Sequence, residues 1–215
     1  MKLYTYFRSS AAFRVRIALN LKGLAWDPEV VWLLSGEQTR EGYRKLNPLG
    51  LVPTLVDGDL RLTQSMAIIE YLDETHPEPP LLAKGAAALA RIRALAQSIA
   101  CDTHPLNNLR VLKYLKSTLG HEQESIDTWY RHWCVEGLGA YERELESGPA
   151  GRFSHGETPT LADICLVPQV FNARRFGVAL GDYPRLMAAF DACMALPAFD
   201  KAQPSKQADA ERAAS

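Results

Sequence analysis

The chain has 215 residues, with 24 lysines and arginines against 25 aspartates and glutamates, and a formal net charge of −1 at pH 7. This balance excludes the basic surface typical of nucleic-acid-binding proteins, and the lack of an apolar run of about 18 residues excludes a membrane-spanning helix. The chain shows no apolar leader, and its four cysteines lack metal-type spacing, so we expect a cytoplasmic protein with reduced thiols and no metal site.

The first 75 residues predict a small α/β domain, because short β-favouring runs alternate with helical periodicity and turn residues. The predicted elements are a strand at 3–7, a helix that ends at Gly23, strands at 29–34, 51–56 and 60–63, and a helix at 66–75. This β-α-β order followed by a β-hairpin and a helix is thioredoxin-like.

The rest of the chain predicts helices only. Residues 76–86 are rich in proline and read as a linker. The predicted helices are a long one over 87–119 with a kink near Pro105, one at 126–146, one that opens at Thr160, and one at 183–196. We therefore predict a thioredoxin-like domain at 1–78, an all-helical domain at 87–202, and a tail at 203–215 that frays.

The tripeptide Arg8-Ser9-Ser10 lies where the first strand passes into the first helix. The first amides of a helix lack internal partners and carry partial positive charge, so a sulfur anion there would be stabilised. No cysteine precedes Cys101, so a thiolate at this turn must come from a ligand. The alternative is that the two serines only cap the helix.

The starts of one further strand and one further helix in this domain suit a peptide ligand. A cis proline at Val52-Pro53 would leave the backbone of Val52 free to pair with an extended peptide. Gln64-Ser65 opens a helix, where the serine can hold a carboxylate. Each also has a structural alternative, an edge-strand proline and a simple cap. Taken together with the serines, they predict binding of a short, anionic, thiol-bearing peptide, and glutathione fits that description.

Polar residues also mark the helical domain. Thr160–Asp163 matches a capping box, which is a folding device. His104 and Asn108 are four residues apart and are predicted to share a helix face toward the ligand. Arg8, Arg110 and Arg175 come from separate segments and together would suit a dicarboxylate substrate. The alternatives are a partly buried histidine and solvated surface arginines.

Five segments resemble the zeta class of glutathione transferases, and the resemblance extends from residue 2 to about residue 200. The segments are FRSSAAFRVRIALNLKG, LNPLGLVPTL, TQSMAIIEYL, TPTLADICLVPQV and NARRF. The resemblance implies the glutathione transferase fold, which joins a thioredoxin-like domain to a C-terminal helical bundle, and it implies a homodimer.

The resemblance also assigns residues. It implies that Ser9 faces the glutathione sulfur with Ser10 beside it, and that five residues in the same domain and one in the next contact the tripeptide. Those contacts are Gln38, Val52 through its backbone, Pro53, Gln64, Ser65 and His104, the last at a position where many relatives have glutamine. Many zeta members carry a cysteine where this chain has Ala11, so the isomerase chemistry of the class is not expected to need it.

The activity implied by the resemblance is glutathione-dependent cis–trans isomerisation of maleylpyruvate or maleylacetoacetate in aromatic-ring degradation. The expected route is thiolate addition, rotation about the resulting single bond, and elimination. The segment HPLNNLR, with Arg110, resembles bacterial maleylpyruvate isomerases, so we predict conversion of maleylpyruvate to fumarylpyruvate. The alternatives are maleylacetoacetate isomerisation, and glutathione transfer or dehalogenation on the same fold. A binding module without catalysis is a further alternative.

Overall fold

The computed structural model describes residues 1–149 and 151–211. Over these residues the chain forms two compact units. The first contains residues 1–81 together with residues 194–211, and the second contains residues 82–193. The first unit is therefore discontinuous along the chain.

A four-stranded mixed sheet forms the centre of the first unit. Its strands are β1 (Lys2–Thr5), β2 (Asp27–Val30), β3 (Thr54–Asp57) and β4 (Leu60–Thr63), in the spatial order β2-β1-β3-β4. β2 runs parallel to β1, whereas β1–β3 and β3–β4 are antiparallel. The predicted second strand at 29–34 is displaced, because β2 is an exposed edge strand that pairs with β1 only as far as Val30.

Three α-helices complete the N-terminal part of this unit. They are α1 (Ser10–Leu21), α2 (Glu41–Leu46) and α3 (Ser65–Thr75), and a 3₁₀ turn at Glu37–Thr39 precedes α2. α1 packs against α3. Unusually for a helix, the buried residues of α1 include two arginines, Arg14 and Arg16.

The described residues of the second unit form helices joined by turns and loops, without a strand. Its α-helices are α4 (Ala86–Gln97), α5 (Leu109–Ser117), α6 (Gln123–Ser147), α7 (Leu161–Arg175) and α8 (Pro184–Met194). α7 is central, and the predicted capping box at its start is confirmed. The Asp163 carboxylate accepts hydrogen bonds from the Thr160 and Ser154 backbone amides at 2.8 Å each. Burial raises the pKa of Asp163, and these hydrogen bonds oppose that rise.

The prediction of one long kinked helix over 87–119 is wrong. After α4 the chain forms a π-helical turn at Ser98–Thr103 and a 3₁₀ turn at His104–Asn107, and it becomes extended at Asn108. Two features accompany the break. Pro105, which lacks a backbone amide, stands in the first turn of the 3₁₀ helix, and Thr103 lies against Gly137 of α6, where a Cβ would come within 2.1 Å of the Thr103 hydroxyl.

The C-terminal segment is ordered and belongs to the first unit. It forms α9 (Pro197–Ala202), a 3₁₀ turn at Pro204–Lys206 and α10 (Ala208–Glu211). The prediction that the tail frays from residue 203 is wrong over 203–211, because Asp209 is buried and hydrogen-bonded. Residues 212–215 of that predicted tail lie outside the described residues. The expected limit of the helical domain at 202 also differs from the observed units, since α9 packs on α1.

All four cysteines are free thiols, as expected. Cys134, Cys165 and Cys193 are buried, whereas Cys101 is exposed on the π turn. Across residues 1–149 and 151–211, no helix is both long and apolar enough to cross a bilayer.

Candidate active site

Ser9 ends the loop after β1 and caps α1. Its backbone is extended, and its Oγ accepts a hydrogen bond from the Ala12 amide at 3.2 Å. Its own amide donates to the Tyr6 carbonyl at 3.0 Å, and Ser10 is buried as the first helical residue. The first turn of α1 has no acidic side chain, so its partial positive charge remains available to an anion. Capping and ligand binding are thus compatible at Ser9.

Arg8 is exposed beside Ser9. Its Nη2 donates to the Tyr6 hydroxyl at 3.3 Å, and its guanidinium lies over the Phe7 ring with 5.0 Å between Cζ and the ring centroid. These two contacts steer the side chain along the surface of the turn, where it adds a second positive charge next to the helix N-terminus.

The predicted cis bond at Val52-Pro53 is confirmed. β3 begins only at Thr54, so Val52 lies outside the β1–β3 ladder, which is compatible with the prediction that its backbone pairs with an extended ligand. Gly50, just before it, has φ +62°, and a Cβ there would lie 2.8 Å from the Gln38 carbonyl oxygen. This close approach brings Gln38 next to the turn at Gly50. The side-chain Oε1 of Gln38 is buried without a hydrogen-bond partner.

Gln64 has φ +70°, a conformation that no other non-glycine residue takes in the described part of the chain. Such strain persists where the surrounding structure demands it, often at ligand sites. It places Ser65 as the first residue of α3, and Ser65 Oγ accepts a hydrogen bond from Arg14 Nη1 at 3.4 Å. Arg14 therefore links α1 to the N-terminus of α3.

Sequence reasoning missed Arg14. The side chain is 2% exposed, and its Nε and Nη2 have no hydrogen-bond partner. An unpaired guanidinium beside a helix N-terminus favours an anionic ligand such as a carboxylate. The only signal in the sequence was a pair of arginines inside the otherwise apolar RVRIAL run, which periodicity alone does not explain.

In the second unit, the prediction that His104 and Asn108 share a helix face is wrong. Asn108 has extended backbone geometry with ψ 145°, so no continuous helix joins the two residues. The Asn108 side chain caps α5 by accepting a hydrogen bond from the Arg110 amide at 3.1 Å. His104 is half-buried at the start of the 3₁₀ turn.

Arg110 and Arg175 are both exposed cations of the second unit. Arg110 lies in the first turn of α5, and Arg175 ends α7 over the Phe176 ring at 4.9 Å. Burial raises the pKa of the Tyr130 hydroxyl and raises that of the Cys134 thiol to about 12, while the charge of Arg175 opposes both shifts. Tyr130 and Cys134 are therefore neutral at pH 7, which excludes them as anionic nucleophiles.

The donors of the first unit form a chemically coherent set. A helix N-terminus without acidic side chains at Ser9 suits a sulfur anion, the position of Val52 outside the β1–β3 ladder suits a peptide, and Ser65 with Arg14 suits a carboxylate. The orphaned Gln38 Oε1 adds an acceptor for an N–H or ammonium group. The residues present thus fit a small acidic peptide that carries a thiol.

Comparison with known proteins agrees with this assessment. A family model described as the glutathione S-transferase N-terminal domain matches residues 3–80, and one for the C-terminal domain matches residues 134–192. A probable maleylacetoacetate isomerase of Vibrio cholerae is 48% identical over 210 residues, covering 97% of each chain. A maleylpyruvate isomerase of a Ralstonia species is 47% identical over 210 residues, covering 97% of this chain and 99% of the relative.

Two solved structures share the whole architecture. A holo maleylpyruvate isomerase, described as a bacterial zeta-class glutathione S-transferase, superposes with a TM-score of 0.95 at 47% identity, covering 97% of this chain and 99% of that one. A maleylacetoacetate isomerase of Methylobacterium extorquens with bound malonate and glutathione has a TM-score of 0.95 at 40% identity, covering 98% and 99%.

The chain belongs to the glutathione S-transferase family. Within that family its class is zeta, and the predicted fold class, a thioredoxin-like domain followed by a helical domain, is confirmed.

Proposed function

We propose that this protein is a glutathione-dependent cis–trans isomerase that converts maleylpyruvate to fumarylpyruvate. The observation that carries the proposal is the anion-competent turn at Ser9, which lies in a chain without a cysteine before Cys101. Relatives at 46–48% identity that bear isomerase names support it. Bound glutathione supplies a thiolate that adds reversibly to a cis double bond conjugated to a carbonyl, and its elimination after rotation leaves the trans isomer.

The residues of the first unit have distinct tasks in this proposal. Ser9 and the first amides of α1 favour the ionised sulfur, and Ser10 fixes the start of the helix. Val52 and Pro53 present the backbone that pairs with the tripeptide. In this proposal, groups of the protein rather than bulk water stabilise the thiolate form of the bound glutathione.

The remaining proposed contacts hold the ends of the tripeptide. Ser65, supported by Arg14, receives a carboxylate, and Gln64 and Gln38 supply amide groups. His104 and Asn108 stay as proposed cofactor contacts from the second unit, although the Asn108 side chain already caps α5.

Arg8, Arg110 and Arg175 are the proposed substrate-binding residues, because a maleyl dicarboxylate brings two negative charges. All three guanidiniums are exposed, and arginine matches carboxylate geometry better than lysine does. Stabilisation of the enolate oxygen that develops during addition is the second task available to these cations.

The decisive experiment measures isomerisation of maleylpyruvate and of maleylacetoacetate by the purified protein, with no glutathione and with substoichiometric glutathione. We expect glutathione-dependent turnover that favours maleylpyruvate and consumes no glutathione. Arg110→Ala and Arg175→Ala should each raise KM, while the neighbouring surface changes Lys113→Ala and Arg174→Ala should leave KM unchanged. Stoichiometric loss of glutathione would instead indicate conjugation or dehalogenation.

Maleylacetoacetate is the second candidate substrate. The Vibrio cholerae relative at 48% identity and a Pseudomonas aeruginosa relative at 46% are named for that substrate. A higher kcat/KM for maleylacetoacetate, unaffected by Arg110→Ala, would select it and remove Arg110 from the site.

Gln64→Gly is expected to stabilise the protein and weaken its glutathione binding. Glycine takes φ +70° without strain, so the free energy of unfolding should rise by about 1 kcal/mol, whereas loss of the amide side chain should weaken binding up to about tenfold. Denaturant unfolding and calorimetric titration measure the two effects. The control Gln64→Ala removes the same amide but keeps the strain, so it should weaken binding without stabilising, and equal stability of both variants would contradict the strain argument.

The proposal extends to assembly and location. We infer a homodimer in the cytoplasm, consistent with the zeta-class relationship and with four free thiols. Sedimentation analysis of the purified protein tests the dimer directly.

A further inference from the structure

The C-terminal segment, residues 194–211, folds against the elements that carry Ser9. α9 packs on α1, and the Asn20 side chain donates to the Ala198 carbonyl at 3.0 Å. The segment returns to the first unit after the whole second unit has intervened in the sequence. Within the first unit it contacts α1 and the residues that lead into the strand-to-helix turn.

Asp209 in this segment binds the backbone just before the Arg8-Ser9 turn. Its carboxylate accepts a hydrogen bond from the Phe7 amide at 2.8 Å, and the residue is 7% exposed. Phe7 lies beyond the end of β1 at Thr5, so the β1 ladder does not fix it. The partner of the Phe7 amide is thus a side chain 202 residues away.

Arg16 fixes the other side of the same peptide. Its Nη2 donates to the Phe7 carbonyl at 3.0 Å, and its Nε donates to the Ala202 carbonyl at 3.1 Å in the C-terminal segment. Burial lowers the pKa of Arg16 to about 9, and the negative charge of Asp209 opposes that shift. Arg16 and Asp209 therefore compensate each other's charge while they hold both polar groups of Phe7.

Apolar packing joins the same parts. Ala210 packs against a buried cluster of Tyr6, Phe7, Val31, Tyr43 and Val52. That cluster underlies both the chain before Ser9 and the Val52 position before the cis proline. Ala210 of the C-terminal segment therefore packs against the apolar cluster that lies next to two proposed glutathione contacts, Ser9 and Val52.

We propose that Asp209 is a positioning residue that holds Phe7, and through it the Arg8-Ser9 turn, in the orientation needed to receive the glutathione sulfur. This inference rests on the proposed role of Ser9 in glutathione binding. The physical basis is that catalytic groups must be held to a fraction of an ångström, and a misplacement of about 1 Å can cost about 10²-fold in rate. Asp209 does not touch the ligand in this assignment and acts only through Phe7.

The test compares Asp209→Ala, Asp209→Asn and Lys206→Ala in the full chain. Asp209→Ala removes the acceptor, whereas asparagine retains an oxygen that can accept from Phe7. Lys206 is an exposed residue of the same segment whose Nζ lies 4.0 Å from Asp200, so Lys206→Ala alters the segment's charge without touching the turn. The measurements are hydrogen exchange of the Phe7 amide without glutathione, calorimetric glutathione affinity, absorbance of the bound thiolate against pH, and isomerase kinetics.

We expect Asp209→Ala to speed hydrogen exchange at the Phe7 amide, to move the pH dependence of thiolate absorbance to higher pH, and to lower kcat about ten- to a hundredfold. Asp209→Asn should retain most of the isomerase activity, and Lys206→Ala should retain all of it. A lower melting temperature with an unchanged thiolate profile and unchanged kcat would overturn the proposal, since Asp209 would then be only structural. If Asp209→Ala does not fold, an unprotected Phe7 amide in the wild-type protein would overturn it equally. Failure of the wild-type protein to bind glutathione would refute the proposed function. Hydrogen exchange at the Phe7 amide would still report on its hydrogen bond to Asp209.

Discussion

Replacing Arg16 by methionine is expected to lower the free energy of unfolding by about 3–5 kcal/mol, which is the cost typical of breaking a buried charged network. Arg16 is 0% exposed and donates to the carbonyls of Tyr6, Phe7 and Ala202 and to the Thr5 hydroxyl. Methionine fills similar volume but donates nothing, so buried acceptors lose their partners. Relief from burying the guanidinium charge offsets part of this loss.

Denaturant unfolding followed by circular dichroism measures the effect. Arg14→Met is the matched control, because Arg14 is equally buried on the same helix but has a single described hydrogen bond, at 3.4 Å to Ser65. We expect that variant to lose less stability and more glutathione affinity. Arg16→Lys should recover only part of the stability, since an ammonium cannot reproduce the guanidinium fork. Equal losses of stability in the two methionine variants would contradict the role assigned to the Arg16 hydrogen bonds.

Ser9→Ala is expected to lower kcat by a factor on the order of 10², the loss typical when one preorganised donor to a developing charge is removed. Glutathione affinity should change little, because the proposed tripeptide contacts at Val52, Gln64 and Ser65 remain. The free energy of unfolding should fall by about 1 kcal/mol, since Ser9 Oγ no longer caps α1 at the Ala12 amide.

Two further variants separate capping from catalysis. Ser9→Asp keeps a good N-cap but places a carboxylate beside the thiolate, so it should fold normally and lose activity. Ser9→Thr keeps the hydroxyl and should retain most activity. Steady-state isomerase kinetics and the pH dependence of thiolate absorbance distinguish the capping role of Ser9 from its catalytic role. Full activity of Ser9→Ala would show that Ser9 has no catalytic role.

Local features of the chain were predictable because their causes are local. The strand-to-helix turn at Ser9, the hairpin at Asp57-Gly58, the cis bond before Pro53 and the capping box at Thr160 each follow from a few adjacent residues. For the same reason, the amino-acid sequence alone indicates that the serine turn is an anion site.

Features set by distant contacts were not predictable. The break in the helix before Asn108 lies among long-range contacts, since Thr103 packs against Gly137 and the Asn107 side-chain amide donates to the Tyr130 carbonyl at 3.3 Å. Nothing in the His104–Asn108 spacing reveals those partners. The buried network of Arg16 and Asp209 likewise joins residues that are 193 positions apart. Because the polar, alanine-rich composition of the C-terminal segment does not reveal this contact, composition alone predicted that the segment frays.

The discontinuity of the first unit has a consequence for synthesis on the ribosome. Domains generally fold in order of translation, yet the sheet and α1 emerge long before α9 and Asp209, which complete the buried surroundings of Arg16. A nascent chain of 81 residues must therefore leave the Arg16 guanidinium without its Ala202 acceptor, and the apolar cluster without Ala210, while more than a hundred further residues are made. The N-terminal unit, although translated first, acquires its final packing last.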